Sequence, residues 1–302
     1  MDGVERSGIE VLLIEDNLGD ARLLREMLRW APRELGIRLH HCDSLQAFSR
    51  LIETVLPDVV LVDLGVPESQ GLDTLRHVVS RLRDVPIIVL TGLDDEQTAI
   101  EAMQEGAEDY LTKYGLDSRI LIRSIRYAME RHDLKAQAEF LATHDPLTGV
   151  YNRHHFNETI EAEVARAARY AHPIGVLMLD VNGFKEINDR HGHLVGDQVL
   201  RCVAEKLGEQ LRTVDIVIRY GGDEFLVVLP ETEEGVWDVR DRLGLMRIDC
   251  GTDDAPLDFD VTLSIGASVW KPDAGRTMDD VIGEADRRMY EQKRALYEKG
   301  IE

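Results

Sequence analysis

Between residues 11 and 116 short β-rich runs alternate with stretches whose apolar residues recur every three or four positions, and no other feature narrows the fold as far. The runs fall at 11–14, 37–42, 59–62, 87–90 and 109–111. Each is strand length, and several are apolar without interruption, as strands covered on both faces must be. The stretches between carry helical spacing, with Leu23, Leu24, Met27 and Leu28 in one and Leu72, Leu75, Val78, Val79 and Leu82 in another. Such alternation predicts a parallel sheet with helices on its faces. The carboxyl ends of parallel strands share one edge, where ligands bind. The polar residues that follow the runs therefore gather there: Glu15, Asp16, Asp63, Thr91 and Lys113.

Three carboxylates at one edge repel one another unless a cation joins them, and Mg²⁺ held by few protein ligands and several waters suits that set. Asp63 becomes a candidate nucleophile toward a phosphoryl group, with Lys113 to pair with the acyl phosphate and Thr91 to bond its oxygens. The order Glu15-Asp16, Asp63 in Val-Asp-Leu-Gly-Val-Pro, Thr91-Gly92, and Lys113 after Tyr110-Leu111-Thr112 resembles the receiver domain of bacterial response regulators. The resemblance covers about the first 120 residues. It implies a flavodoxin-like, doubly wound five-stranded parallel sheet. It also implies phosphorylation at Asp63 by a histidine kinase or another phosphodonor, and one Mg²⁺ at Glu15, Asp16, Asp63 and Gly65. Tyr110 would reorient with Thr91 and Lys113 as the switch. Receivers usually place proline after the lysine, whereas Tyr114-Gly115 follows here.

A chain of 302 residues exceeds one typical core and suits two domains. We expect a domain at 8–118, a helical stalk at 119–142 and a second domain at 143–302. Along the stalk, Ile122, Ile125, Met129, His132 and Ala136 follow a 3-4 spacing, a short and imperfect coiled-coil stripe through which the chain could form a homodimer. A formal charge of -22 opposes a nucleic-acid backbone or an anionic membrane surface, so neither is expected as a partner. No apolar run approaches the ~20 residues needed to span a bilayer, and the three cysteines Cys42, Cys202 and Cys250 have no metal-ligand spacing. These features predict a cytoplasmic protein whose cysteines are structural.

In the second half, Gly221-Gly222-Asp223-Glu224-Phe225 separates β-rich runs at 216–220 and 225–229, which places two acids at a hairpin tip. Glycines there let a phosphate or base approach, and the carboxylates are hard ligands for Mg²⁺. Alone the pentapeptide is equally an ordinary solvated turn. The surroundings weigh against that: Asp145-Pro146-Leu147-Thr148 opens the segment, a buried-looking strand at 174–179 ends in Asp180, and Asn182 to Asp189 and His191 to Asp197 follow. With residues 261–267, these pieces resemble the GGDEF family of diguanylate cyclases across almost all of residues 140 to 297.

The resemblance implies an α+β, palm-like fold with a mainly antiparallel sheet flanked by helices. The implied reaction condenses two GTP into cyclic di-GMP and two pyrophosphates, with two Mg²⁺ ions per GTP. Asp180, Asp223 and the Val181 carbonyl would hold the metal, and Glu224 would be a further ligand or assist deprotonation of the attacking hydroxyl. Asp180 and Asp223 lie at neighbouring strand ends, as a metal bridging phosphates requires. Lys185, Gly183, Phe184, Gly222 and Lys293 would meet phosphate, while Asn188 and Asp197 would read guanine, whose N1–H donates where adenine accepts. Arg212 and Asp215, with two residues between them before the tip, match the family's product-inhibition site for cyclic di-GMP. One departure is at the end: the family's final arginine position is Tyr297, so one phosphate contact is missing or is supplied by Arg294 or Lys299. The alternative is a catalytically weak GGDEF protein that binds GTP or cyclic di-GMP as an effector.

Overall fold

The computed structural model describes residues 8–92, 96–250 and 259–298, which fall into two units, 1–137 and 138–302. In the first unit the chain runs β1 (Glu10–Ile14), α1 (Leu18–Arg29), β2 (Arg38–Cys42), α2 (Leu45–Leu51) and β3 (Val59–Asp63). A small ribbon follows, β4 (Gly65–Val66) with β5 (Ser69–Gln70), then α3 (Leu72–Arg81), β6 (Ile87–Thr91), α4 (Glu96–Gln104), β7 (Asp109–Thr112) and α5 (Ser118–Thr143). The five long strands pair in parallel in the order β2-β1-β3-β6-β7, as the alternating pattern predicts. Both faces are covered: Leu12, Ile14, Val60 and Val62 join one core layer with Phe48 and Leu75, while Val11, Leu13, Val59 and Leu61 join another with Leu24, Leu28 and Leu121. That explains why β1 and β3 read as unbroken apolar sequence.

The connector corrects one expectation. Ile125 is fully buried in the first unit's core and Met129 packs against the same cluster, so two positions of the proposed coiled-coil stripe are occupied by intrachain packing. His132 lies 3.8 Å from Glu108. A helix that closes a parallel sheet must present an apolar face inward, and the same 3-4 spacing serves that purpose.

The second unit continues with β8 (Tyr151–Asn152), α6 (Arg153–Tyr170), β9 (Ile174–Val181), α7 (Phe184–His191) and α8 (His193–Gln210). Then come β10 (Ile216–Gly221), β11 (Glu224–Pro230), α9 (Gly235–Gly244), β12 (Leu263–Trp270) and α10 (Met278–Glu298). The sheet order is β12-β9-β11-β10-β8, antiparallel throughout except for the short parallel pairing of β8 with β10. β9, buried at every residue, lies between β12 and β11, and its ladder runs two residues past the predicted 174–179 because Asp180 and Val181 still have partners on β12. At β12 a Cβ on Gly266 would fall 1.8 Å from the Ala285 carbonyl oxygen and 2.4 Å from the Met289 nitrogen. Only glycine lets α10 lie this close to the sheet. The opening segment is tied by one side chain: Asn152 Nδ2 donates to the Leu141, Ala142 and His144 carbonyls, while its Oδ1 accepts from the His155 amide and caps α6. Among the described residues no helix is long and apolar enough to cross a membrane.

Candidate active site and phosphoacceptor site

Glu15 and Asp16 follow β1, Asp63 ends β3, Thr91 ends β6 and Lys113 follows β7, so four of the five strands deliver polar groups to one edge. Glu15, Asp16 and Asp63 each offer a carboxylate oxygen within 4.8 Å of the others, the one such His, Cys, Asp or Glu cluster among the described residues. Lys113 Nζ lies 2.5 Å from Asp63 Oδ2, 2.9 Å from Asp20 Oδ2 and 2.6 Å from Glu15 Oε2. The last contact is an ion pair without hydrogen-bond alignment, which leaves a buried carboxylate oxygen unsatisfied. Burial pushes the Glu15 carboxyl up to about 7, although Lys113 opposes the shift. Burial alone would lower the Lys113 ammonium, but Asp63, Glu15 and Asp20 raise it well above the usual lysine range. A buried carboxylate oxygen without an aligned hydrogen bond, in a cluster of hard ligands, fits Mg²⁺, with Asp16 exposed for waters. Gly65 donates its amide to Asp63 Oδ1 at 3.1 Å, which orients the carboxylate. The Lys113 amide donates to the Thr91 carbonyl at 2.7 Å, Tyr110 packs half-buried on the core, and Tyr114 is exposed.

In the second unit the hairpin ladder runs through Gly221 and Glu224, so the tip is Gly222-Asp223 and Glu224 is already a strand residue. Gly222 has φ 50°, a left-handed conformation that favours glycine. The register then places Glu224 directly beside Asp180 on β9, while the Val181 amide reaches the Asp223 carbonyl at 3.3 Å. Lys293, brought over the sheet by α10, donates to Asp180 Oδ1 at 2.6 Å. Burial raises the Asp180 carboxyl, with Asp223 adding to the effect and Lys293 opposing it. Glu224 is raised by burial, then by Asp180, Asp223 and Asp286. Buried carboxylates that crowd one another around one lysine are the donor chemistry that a hard dication relieves.

The base-reading candidates lie on α7 and α8. Gly183 caps α7 at φ 66°, with Phe184 half-buried and Lys185 exposed. A Cβ on Gly196 would approach Asn188 Oδ1 to 2.1 Å and Phe184 Cζ to 3.3 Å, so this glycine seats Asn188 beside the first turn of α8, where Asp197 follows. Arg212 and Asp215 form a tight turn in which Asp215 Oδ2 accepts from the Arg212 amide at 2.7 Å and the Arg212 side chain is exposed. Arg294 pairs with Glu298 at 3.3 Å, whereas Lys299 and the side chain of Tyr297 lie outside the described residues.

A family model described as the diguanylate cyclase GGDEF domain matches residues 142–299, just over half of the chain. The chain belongs to the GGDEF family. A second model, for the response regulator receiver domain, matches residues 11–126. The response regulator PleD of Caulobacter vibrioides is 28% identical over 312 residues, covering 97% of this chain and 65% of that protein. The diguanylate cyclase DgcP of Pseudomonas aeruginosa is 37% identical over 152 residues, covering 50% of this chain and 22% of that protein. The chain thus spans less than two thirds of the length of these curated relatives. The solved coiled coil and GGDEF domain of DgcB from Caulobacter crescentus, in complex with c-di-GMP, is 28% identical with a TM-score of 0.49, covering 58% of this chain and 93% of that one.

Three groups of this receiver–GGDEF chain escaped sequence reasoning. Asp20 reaches Lys113 from α1. Asp286, two turns before Lys293 on the same face of α10, adds charge near Glu224. Arg219 clamps the hairpin: its Nη1 meets both Asp145 oxygens at 3.0 and 3.1 Å, and its Nε and Nη2 donate to the Gly222 carbonyl at 3.0 and 2.9 Å. Asp145 is fixed in turn by the Thr148 amide and hydroxyl at 2.9 and 2.7 Å. The signal for this clamp was an arginine two residues before the glycine pair and an aspartate in the opening turn. Nothing local links them, because they are far apart in sequence.

Proposed function

We propose that this protein is a phosphorylation-regulated diguanylate cyclase that condenses two GTP into cyclic di-GMP and two pyrophosphates. The observation that carries the reading is the register that sets Glu224 beside Asp180, with Asp223 on the adjoining tip and Lys293 against Asp180. The match to the GGDEF model and the likeness to curated diguanylate cyclases support it. Mg²⁺ held by Asp180, Asp223, Glu224 and the Val181 carbonyl would neutralise charge on the α-phosphate and on the departing pyrophosphate. Lys293 and Lys185 bind phosphate oxygens, and the Gly183 and Phe184 amides would donate to the same groups. Asn188 and Asp197 accept from guanine, which selects GTP over ATP. Glu224, raised by burial and by its acidic neighbours, takes the proton of the attacking 3′-hydroxyl. One such site binds one GTP, so two copies face each other in a homodimer and positioning supplies much of the rate.

Phosphorylation of Asp63 by a histidine kinase or other phosphodonor regulates how the copies meet, with Mg²⁺ at Glu15, Asp16, Asp63 and Gly65. Thr91, Tyr110 and Lys113 respond to the phosphoryl group. Cyclic di-GMP returns to Arg212 and Asp215 as an inhibitor. Pure protein with Mg²⁺ should convert GTP and not ATP into a cyclic dinucleotide, at a rate changed by beryllofluoride and abolished in Asp180→Asn. Nucleotide binding without any cyclic product would instead show a GTP or cyclic di-GMP effector. Retained product inhibition in Arg212→Ala would remove the feedback site.

A further inference from the structure

Two cysteines distant in sequence meet at the back of α8. Cys202 is half-buried on that helix and packs against the core cluster that contains Cys250, which is 3% exposed and directs its Sγ at the Ile248 carbonyl. The frame around them is anchored on both sides. Cys202 Sγ donates to the Asp249 carbonyl at 3.5 Å, and Gln198, one turn earlier on the same face of α8, donates to the Cys250 carbonyl at 2.7 Å. The adjoining backbone is pinned by the Ile248–Val261 bridge, whose two hydrogen bonds are 2.9 and 3.0 Å long. Cys202 Sγ thus lies against the peptide that leads into Cys250, on backbone anchored from both sides, which is the juxtaposition a disulfide requires.

We propose that Cys202 and Cys250 form a reversible disulfide that staples α8 to the segment following α9, with hydrogen peroxide as oxidant and a small dithiol as reductant. The pair is chemically asymmetric. The neighbouring Cys250 lowers the Cys202 thiol, assisted by Lys206 one turn on, whereas Cys250 is raised by the nearness of Cys202 and by burial. Cys202 thiolate attacks the peroxide, the O–O bond breaks, and the sulfur becomes a sulfenic acid as hydroxide leaves and is protonated to water. Cys250 sulfur then attacks the sulfenic sulfur, the S–O bond breaks, and the Cys250 proton leaves with the hydroxide as a second water. Two thiols and one peroxide thus give one disulfide and two waters. A dithiol reverses the reaction by thiol–disulfide exchange through a mixed disulfide. Cys42 is a built-in control, because it is buried in the first unit with its thiol pushed up to about 12 and its Sγ directed at the Leu13 carbonyl.

The test is peptide mapping of the full chain after one equivalent of hydrogen peroxide, denaturation and alkylation. The expected result is a Cys202–Cys250 linked pair two hydrogens lighter than the separate peptides, with Cys42 alkylated, and loss of the link in dithiothreitol. Oxidised wild type should also melt higher than reduced protein, a shift absent from Cys202→Ser and retained in Cys42→Ser. Cys202 is half-exposed, so Cys202→Ser keeps the test valid if Cys250→Ala fails to fold. Full alkylation of both cysteines after peroxide, a Cys202 sulfinate without a link, or a link between chains would each overturn the proposal.

Discussion

Arg219→Ala tests the physical origin of the hairpin site. Arg219 and Asp145 are each 18% exposed, and the guanidinium shares Nη1 between the two Asp145 oxygens and gives Nε and Nη2 to the Gly222 carbonyl. Hydrogen bonds to charged groups contribute about 1.5–3 kcal/mol when well buried, and exposed pairs contribute less than about 1. Partial exposure places each contact near the low end. Asp145 retains the Thr148 amide and hydroxyl, and Gly222 is exposed so its carbonyl regains water. The expected loss is therefore about 2 kcal/mol rather than the larger cost of an orphaned buried charge. Activity should suffer more. Without the clamp the tip loses its fixed position, and a displacement of about 1 Å can cost on the order of 10²-fold in rate.

The assay pairs urea unfolding, followed by the fluorescence of Trp237 and Trp270, with GTP turnover in a double-mutant cycle against Asp145→Ala. The coupling should be about 1–2 kcal/mol. Its pH dependence has a definite sign. Burial alone would raise Asp145, but the Thr148 hydroxyl and amide and then Arg219 outweigh it, so the folded carboxyl lies below its ordinary value. The stabilisation is thus present above the unfolded value of about 3.9 and is lost as pH falls through the lower folded value. A coupling below about 0.3 kcal/mol at neutral pH, or unchanged turnover in Arg219→Ala, would refute the clamp.

Three further outcomes are expected. Gly266→Ala should destabilise the second unit by about 2–4 kcal/mol, seen as a lower urea midpoint, because its Cβ would strike the backbone of α10 at Ala285 and Met289. Gly196→Ala should displace Asn188, which its Cβ would approach to 2.1 Å, and raise KM for GTP about tenfold with little change in kcat. Asp63→Asn should abolish acyl-phosphate formation from a small phosphodonor, measured by intact mass, and cost less than about 1 kcal/mol in folding because Lys113 keeps Glu15 and Asp20.

Much of the fold was legible because it is written locally. Strand and helix periods in the first unit follow directly from which residues must face the core, and they yielded the parallel sheet before any contact was known. The polar residues after β1, β3, β6 and β7 were legible for the same reason, since strand direction alone decides which edge they reach. β8 and α9 were not anticipated. β8 is two residues long and gains its strand character only from pairing with β10, and α9 has no side-chain cap to announce its start. The stalk stripe was misread in part because a coiled-coil seam and a core-facing helix present the same spacing.

By itself, then, the sequence determined the order and type of most elements, the acidic character of the hairpin and the set of groups available for phosphoryl chemistry. Tertiary structure decided which of them meet. The register of β9 with β11 put Glu224 beside Asp180, the glycine contact at Gly266 brought Lys293 across the sheet, Asp145 found Arg219, and Cys202 found Cys250. The physical reason is one of range. Backbone propensity and hydrophobic period act over a few residues, whereas these pairings depend on how whole elements pack, and a shift of one residue in strand register would separate every one that crosses the sheet.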